Sequence, residues 1–374
     1  MPVAVIGGGI TGLFAAYHLE RAGADVTLFE PLEPGALSVH AAGIIEPTTA
    51  YRTNTLAFLR RVWGFWRHGT CTFRRADLRW LLESLRQLER DPWPSADATF
   101  LGMGRESLAT YTAMARERDD FGLVLGGLLE RFDDPAHFAE EREEALSKRE
   151  TTPVEVREPA GDAGGLLFPG VAWLHTEQLV ARVVRDLART KFLREEALGV
   201  GLDGTVRTAA GNRSFDAVVV TTGVTSRHLG VPLTAVRGYG WHLRSPTRVD
   251  RATIHVDRGI ALVPLSDGLK VTGGWDFVLS QSVTHAESIL RAVRRLIEVQ
   301  DVISFKAGSR PCTPDGLPTV GRKGRVVVAN GGFRLGWSFA PAMGHAAADL
   351  ATEKATNDPF LSRFCVGIRS GTPA

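Results

Sequence analysis

The first apolar run of the chain, Val3-Ala4-Val5-Ile6, breaks at once on glycines, and the first thirty residues read strand, turn, helix, strand. Gly7 to Gly12 form the turn, the helix runs to about Ala22, and Val26-Thr27-Leu28-Phe29 make the second strand. Along the helix Gly12, Ala16, Leu19 and Gly23 are spaced 4, 3 and 4, one face of small and apolar groups suited to a sheet. A small-residue loop, Ser38 to Gly43, comes next, then a long helical stretch rich in Arg and aromatics from about Thr55 to Arg90. Two prolines and an Asp-Pro step break the pattern in 91–100, and 101–150 reads helical with a charged end.

A second α/β block starts near residue 165, with a helix from Thr176 to Arg189, two strands, and the apolar run Ala217-Val218-Val219-Val220 leading into Thr221-Thr222-Gly223. Alternating patterns over 236–280 predict an antiparallel sheet, followed by a helix near 285–299. Val326 to Ala329 is a buried strand, a Gly-rich turn comes after it, and Phe339 to Lys354 is a helix. The fold class expected is α/β: a Rossmann-like dinucleotide-binding domain interleaved with an α+β substrate domain built on an antiparallel sheet. The boundaries give 1–90, 150–232 and 306–374 to the first and 91–149 and 233–305 to the second.

Gly7, Gly9 and Gly12, with Ile10 and Thr11 between them, form G-x-G-x-x-G at a strand–helix junction. The first glycine permits the tight turn, the second lets backbone approach a pyrophosphate, and the third lets helix and strand pack closely. Phosphates then sit at a helix N-terminus, where free N–H groups and the helix dipole favour negative charge. Glu30 ends the second strand 18 residues after Gly12, near the position of an acid that binds ribose hydroxyls and disfavours a 2′-phosphate. The turn itself does not separate NAD from FAD.

Composition narrows the setting. Hydrophobic residues make up 44% and charged residues 23%, ordinary for a globular protein, and a formal charge of +2 excludes nucleic acid as a bulk electrostatic partner. Three dispersed cysteines and ten histidines show no metal-ligand spacing, so no metal is expected and a reducing cytoplasm is. Neither a signal-like start nor an apolar run of about 18 residues is visible. Residues 56–90 carry eight Arg against three acids, interleaved with Trp63, Phe65, Trp66, Phe73 and Trp80. The expectation is that these aromatics are buried against the neighbouring domain; weak contact with the inner face of a membrane is the alternative.

The run Gly7 to Glu30, the loop Ser38 to Ile45, the segment Ser309-Arg310-Pro311-Cys312-Thr313-Pro314-Asp315-Gly316-Leu317-Pro318 and the turn Gly331-Gly332-Phe333-Arg334-Leu335-Gly336-Trp337 occur in an order that resembles the D-amino-acid oxidase superfamily. The resemblance spans nearly the whole chain and implies non-covalent FAD held from both ends. Carried onto this sequence, Glu30 would bind the adenosine ribose and Ser38 the pyrophosphate. Ala41, Ala42 and Gly43 would line the flavin, and Ala197 would contact adenine through its backbone. Thr222 and Gly223 would pass the dinucleotide, while Gly332, Phe333, Arg334, Leu335, Gly336, Trp337 and Ser338 would wrap the pyrimidine end. The implied reaction is oxidative deamination of an amino acid or secondary amine, with hydride passing to flavin N5 and an imine released.

Within that resemblance Arg310 matches the arginine that clasps the substrate carboxylate, chemistry suited to a planar guanidinium. Arg334 matches a second active-site arginine, and Ile44 matches a side chain presented to substrate. Tyr239 and His242 stand on the strand entering the substrate domain, within reach of a pocket. The family's lid tyrosine is replaced by Ala261, leaving room for a larger or cyclic amine. Cys312 is expected as a packed, free thiol. Oxygen, a quinone or another carrier would take the electrons, and an amino acid is the expected small-molecule partner.

Overall fold

In the computed structural model, residues 1–47, 54–74, 77–90, 96–157, 163–229, 233–278 and 285–353 are described. The strand Pro2–Ile6 lies inside a six-stranded sheet whose order is Thr319–Lys323, Val326–Asn330, Ala217–Val220, Pro2–Ile6, Asp25–Phe29, Lys191–Leu193. All neighbours run parallel except the pair at the Thr319–Lys323 edge. The inner strands are continuously apolar because both faces are covered. The helices Ile10–Arg21, Thr176–Asp186 and Gly336–Ala351 bury Val3, Val5, Val219 and Val327 on one side. A three-stranded meander, Gly199–Ser214, reaches Ala4, Ile6, Val218 and Val328 on the other through Val206.

The second layer is a nine-stranded, mainly antiparallel sheet. Its order runs Asp301–Cys312, Thr234–Arg244, Gly268–Val278, Ile260–Leu265, Ala252–His255, Leu128–Phe132, Gly164–Phe168, Glu155–Arg157, with Cys71–Arg74 also paired to Gly268–Val278. Alternation along Thr234–Arg244 sends Tyr239, Trp241 and Leu243 to one face, under Ile289, Leu290 and Val293 of the helix Ala286–Val293. The other face, bearing Val236, Gly238 and Gly240, turns toward the first domain: Val236 packs in one cluster with Phe333, and Gly240 lies against the His40 carbonyl.

The structure redraws several sequence expectations. The stretch 55–90 is two helices, Leu56–Arg67 and Leu78–Arg86, separated by the strand Cys71–Arg74. Gly69, at φ +72°, comes after the first helix, and the strand is held by a ladder to Trp275–Val278 that local periodicity does not encode. The region 101–150 likewise divides into the helix Ala96–Glu117, the strand Leu128–Phe132 and the helix Pro135–Ser147. Asp134 caps the last of these and Pro135 opens it, a start signal placed inside an otherwise helical composition. The helices predicted to reach Arg189 and residue 299 end at Asp186 and Val293, and the last helix starts at Gly336 and is described to Ala351.

The division of the chain also differs from the predicted boundaries. The helix Ala96–Glu117 buries Phe100, Met103, Tyr111 and Met114 in the core of the six-stranded layer, against the helix Gly336–Ala351. Conversely Cys71–Arg74, Glu155–Arg157 and Gly164–Phe168 pair into the nine-stranded sheet. Of the aromatics in 56–90, Phe58, Phe65 and Trp80 are buried as expected. Trp63, Trp66 and Phe73 are not: they stand 60%, 51% and 56% exposed, the first two on the helix Leu56–Arg67 outside its buried face of Phe58, Val62 and Phe65, the third on the strand Cys71–Arg74.

Candidate active site

The dinucleotide turn is built from close approaches that a side chain would destroy. Gly7 takes φ +99°, and a Cβ built at Gly12 would run into the Gly7 carbonyl and stand 2.6 Å from Thr221 Oγ1. Thr221 fixes that junction by donating to the carbonyls of Gly7 (2.8 Å) and Ile6 (3.0 Å). Gly9 is the N-cap of the helix Ile10–Arg21, with no side-chain capping hydrogen bond. The helix's first turn, with half-buried Thr11, therefore offers N–H groups to an anion. The Gly8 and Leu32 N–H groups donate to the two oxygens of Glu30 (2.8 and 2.9 Å), and each oxygen keeps a lone pair for a ribose hydroxyl. Ser38 Oγ accepts from the Ile10 N–H at 3.0 Å, which places that hydroxyl at the mouth of the turn.

Residues from the other end of the chain close the same space. The Asn330 amide donates to the Gly223 carbonyl and Ser226 Oγ (both 2.7 Å) and accepts from the Gly331 N–H (2.8 Å). Thr222 Oγ1 lies 2.9 Å from Ser226 Oγ. Past Gly332, Phe333 holds φ +44°, a strained value for a side chain this size, in a short 3-10 turn to Leu335. The helix that begins at Gly336 has neither a side-chain cap nor an acid in its first turn. The Trp337 indole N–H donates to the Ser38 carbonyl (3.2 Å), and Ser338 Oγ accepts from the Glu46 N–H (2.9 Å). Two uncapped helix N-termini and an acid at a strand end fit a dinucleotide with an unphosphorylated ribose.

The loop Ser38 to Gly43 is pressed between this cradle and the nine-stranded sheet. Lys270 Nζ and Thr176 Oγ1 both donate to the Val39 carbonyl (2.8 and 3.0 Å). A Cβ at Gly240 would overlap the His40 carbonyl, and one at Gly308 would overlap the His40 ring. His40 is buried, and burial followed by the charges of Arg310 and Lys270 pushes its imidazole down to about 3, so it is neutral. Gly43, at φ +75°, accepts from the Leu174 N–H (3.0 Å), and Ile44 pairs with Trp173 while packing beside Ala42.

Arg310 stands on the sheet face that meets this loop, opposite Val236 in the ladder. Its Nη1 donates to the Gly274 carbonyl (2.8 Å), its guanidinium lies over Gly238, and its Cζ is 5.1 Å from the Trp275 ring centre. Burial and then the charge of Arg334 push Arg310 down to about 10, which still leaves it charged at neutral pH. Arg334 Nη2 donates to both oxygens of the buried Glu46 (3.0 and 3.2 Å). Burial raises the Glu130 carboxyl, with Arg61 opposing and Glu141 and Glu46 adding to the shift.

Most of the residues singled out in the sequence therefore converge: Gly7 to Gly12, Glu30, Ser38 to Ile44, Thr222, Gly223 and Gly332 to Ser338, with Arg310 across the gap. Ala197 sits apart, packed on the Ala4, Ile6 and Phe29 side of the six-stranded sheet. Tyr239 is brought close to Arg310 in sequence register but lies on the far face, fully buried against Trp241 and Phe305. His242 stands 3.3 Å from Asp267, and Ala261 pairs across from Thr272. Cys312 is a buried thiol that donates weakly to the Thr313 carbonyl (3.4 Å). The sequence reading missed Trp275, Glu46 and His40. Trp275 gave no signal, because a lone Trp in a strand usually means core; the position of His40 inside the loop motif was the one clue available.

A cradle for a dinucleotide, closed by a sheet that presents a partly desolvated arginine, defines a dinucleotide-dependent oxidoreductase. The chain belongs to the family described as FAD dependent oxidoreductases, whose model matches residues 2–350, so its dinucleotide is FAD. Among curated proteins, the D-proline dehydrogenase of Pyrobaculum islandicum is 35% identical over 97% of this chain and 99% of its own. A D-amino acid dehydrogenase of Allorhizobium ampelinum is 26% identical over 98% and 99%. The fold matches the crystal structure of glycine oxidase from Geobacillus kaustophilus with a TM-score of 0.71 at 21% identity, covering 96% of this chain and 97% of that one.

Proposed function

We propose that this protein oxidises the C–N bond of a small amino acid, with a larger or cyclic amine such as proline favoured over glycine. The observation that carries the reading is Arg310, a partly desolvated guanidinium held by the Gly274 carbonyl and the Trp275 ring on the sheet face that meets the Ser38–Gly43 loop. Its outer N–H groups suit a carboxylate in bidentate fashion, and fixing that carboxylate orients the α-carbon. Bound FAD supplies the acceptor for the hydride removed from that carbon. Pairing with Glu46 satisfies Arg334 and leaves Arg310 as the anchor. The neutral imidazole of His40 adds no charge that would compete for the carboxylate. Ala261, at the position that the family resemblance gives to a lid tyrosine, leaves room for a ring, and the 35% identity to a D-proline dehydrogenase supports the same choice. Water hydrolyses the imine after release.

The test is anaerobic mixing of the FAD-loaded protein with D-proline, L-proline, D-alanine, glycine and sarcosine. Rapid bleaching of the flavin band by a proline enantiomer, ahead of glycine, is the expected result. If none of them bleaches it, the protein is a flavin-carrying subunit without its own amine oxidation.

For the electron acceptor we propose a membrane quinone approached from the cytoplasmic side. Among the described residues no helix is long and apolar enough to cross a membrane. However, Leu59, Trp63 and Trp66 on one helix and Leu78, Leu82 and Leu85 on the next are exposed beside Arg60, Arg67 and Arg79, a surface suited to weak contact with anionic lipid. Flotation with anionic liposomes should carry the wild type and leave a Trp63→Ser, Trp66→Ser variant behind. Wild type remaining at the bottom of the gradient would rule the contact out.

A further inference from the structure

Three strands meet at Arg310, and their register is irregular there. Along Gly268–Val278, Asp276 pairs with Arg237 but Gly273 pairs with Tyr239, so this strand spends three steps where Thr234–Arg244 spends two. The extra residue is a bulge at Gly274–Trp275 opposite Gly238. Both groups that hold Arg310, the Gly274 carbonyl and the Trp275 ring, are products of that bulge. Gly274 adopts φ +88°, and a Cβ there would strike the Tyr239 ring and stand 2.8 Å from Ile289.

On the far face of the sheet, the residue after the bulge is tied down at both carboxylate oxygens. Tyr239 Oη donates to Asp276 Oδ2 at 2.6 Å, and His285 Nδ1 lies 2.7 Å from Asp276 Oδ1. Asp276 and Tyr239 are buried, and His285 leads into the helix Ala286–Val293. Tyr239 also stacks its ring on Trp241 and Phe305, so its hydroxyl is held in place by packing. We propose that Tyr239, Asp276 and His285 are positioning residues for substrate recognition: they lock the bulge register and, through the Gly274 carbonyl and Trp275, aim the Arg310 guanidinium at the substrate carboxylate.

The alternative register is the reason a lock is needed. Sliding Trp275 by one position would restore a regular ladder and send its side chain to the opposite face, since a one-residue slip inverts a strand. The Trp275 N–H donates to the Thr70 carbonyl (2.9 Å), which secures the outer side of the bulge. The Tyr239–Asp276–His285 chain secures the inner side. Tyr239 thus acts on the site without touching it, from behind the wall.

The proposal rests on the reading of Arg310 as carboxylate anchor, and the experiment separates the two. Tyr239→Phe and His285→Asn are prepared as FAD-loaded enzyme, alone and combined with Arg310→Ala. Calorimetry then measures the affinity for 2-furoate, an unreactive carboxylate. Tyr239→Phe, which removes one oxygen and leaves the ring, should weaken 2-furoate about tenfold and raise KM for a proline enantiomer similarly, as loss of a hydrogen bond to a charged group does. The flavin-reduction rate at saturation should change less than about threefold, because lost ground-state binding is uniform. In the Arg310→Ala background the same change should have no further effect, the sign of two residues acting as one unit. Equal losses in both backgrounds, or unchanged 2-furoate affinity in Tyr239→Phe and His285→Asn, would overturn the positioning role while leaving the anchor intact. Unchanged affinity in Arg310→Ala alone would remove the anchor itself, and the positioning role with it.

Discussion

Replacing Arg310 by alanine should lower kcat/KM for a proline enantiomer by about two to three orders of magnitude, while the oxidation of pyrrolidine, which lacks the carboxylate, changes less than about threefold. The magnitude comes from the surroundings of the guanidinium. Arg310 is partly desolvated between the Gly274 carbonyl, Gly238 and the Trp275 ring, so its attraction for a carboxylate is less screened than in water. Removing one partner of such a pair costs about 2–5 kcal/mol, much of it the penalty of leaving the other charge unpaired. Lysine should recover a small part of the loss, since it restores the charge without the planar fork. Steady-state kinetics with the matched pair of amines is the measurement. Equal losses for both amines would mean that Arg310 supports the fold and not the carboxylate.

What the sequence disclosed, and what it hid, divides along the range of the interactions. The turn from Gly7 to Gly12 and the acid at Glu30 were legible because strand, turn and helix are contiguous and each glycine has a local steric reason. Arg310 was legible only through its motif; nothing in the sequence shows that Gly274 and Trp275, 36 and 35 residues earlier, would hold it. Tyr239 falls opposite to Val236 and Arg310 by plain alternation, but which face of the strand meets the Ser38–Gly43 loop is set by tertiary packing, and periodicity cannot reveal that or the bulge that holds Trp275. The same limit explains 55–90. The aromatics of this stretch were expected to bury against the neighbouring domain, yet on the helix Leu56–Arg67 only the face of Phe58, Val62 and Phe65 is covered, with Phe58 and Phe65 packed on Trp275. Trp63 and Trp66 are left outside, stacked on each other 4.9 Å apart. The buried face of this helix therefore supports the wall behind Arg310 while its exposed face meets the surroundings.

Alanine at Gly12 should remove most of the flavin from the purified protein and also lower its melting temperature. The Cβ would collide with the Gly7 carbonyl and with Thr221 Oγ1, and neither can retreat. The carbonyl belongs to a residue at φ +99°, and the hydroxyl already donates to two carbonyls of the same turn. Relief requires the helix Ile10–Arg21 to lift off the strand Pro2–Ile6, which disturbs the core shared by Val5, Leu13 and Phe14. Overpacking of this kind costs about 1–3 kcal/mol in the apoprotein, and the displaced N–H groups lose further ground against the pyrophosphate. Gly9 supplies the contrast. Its backbone, φ −66° and ψ 175°, suits any residue, and a Cβ would meet nothing nearer than Ser38 Oγ at 3.3 Å. Alanine there should leave the apoprotein's melting temperature within about a degree or two and weaken FAD alone, because its methyl group opposes only the approaching phosphates. Flavin-to-protein absorbance ratios and thermal melts of both apoproteins measure the difference. A Gly12→Ala protein that stays fully yellow, or a Gly9→Ala apoprotein that melts as early as Gly12→Ala, would mean that the turn is held by packing against the sheet and not shaped for the dinucleotide.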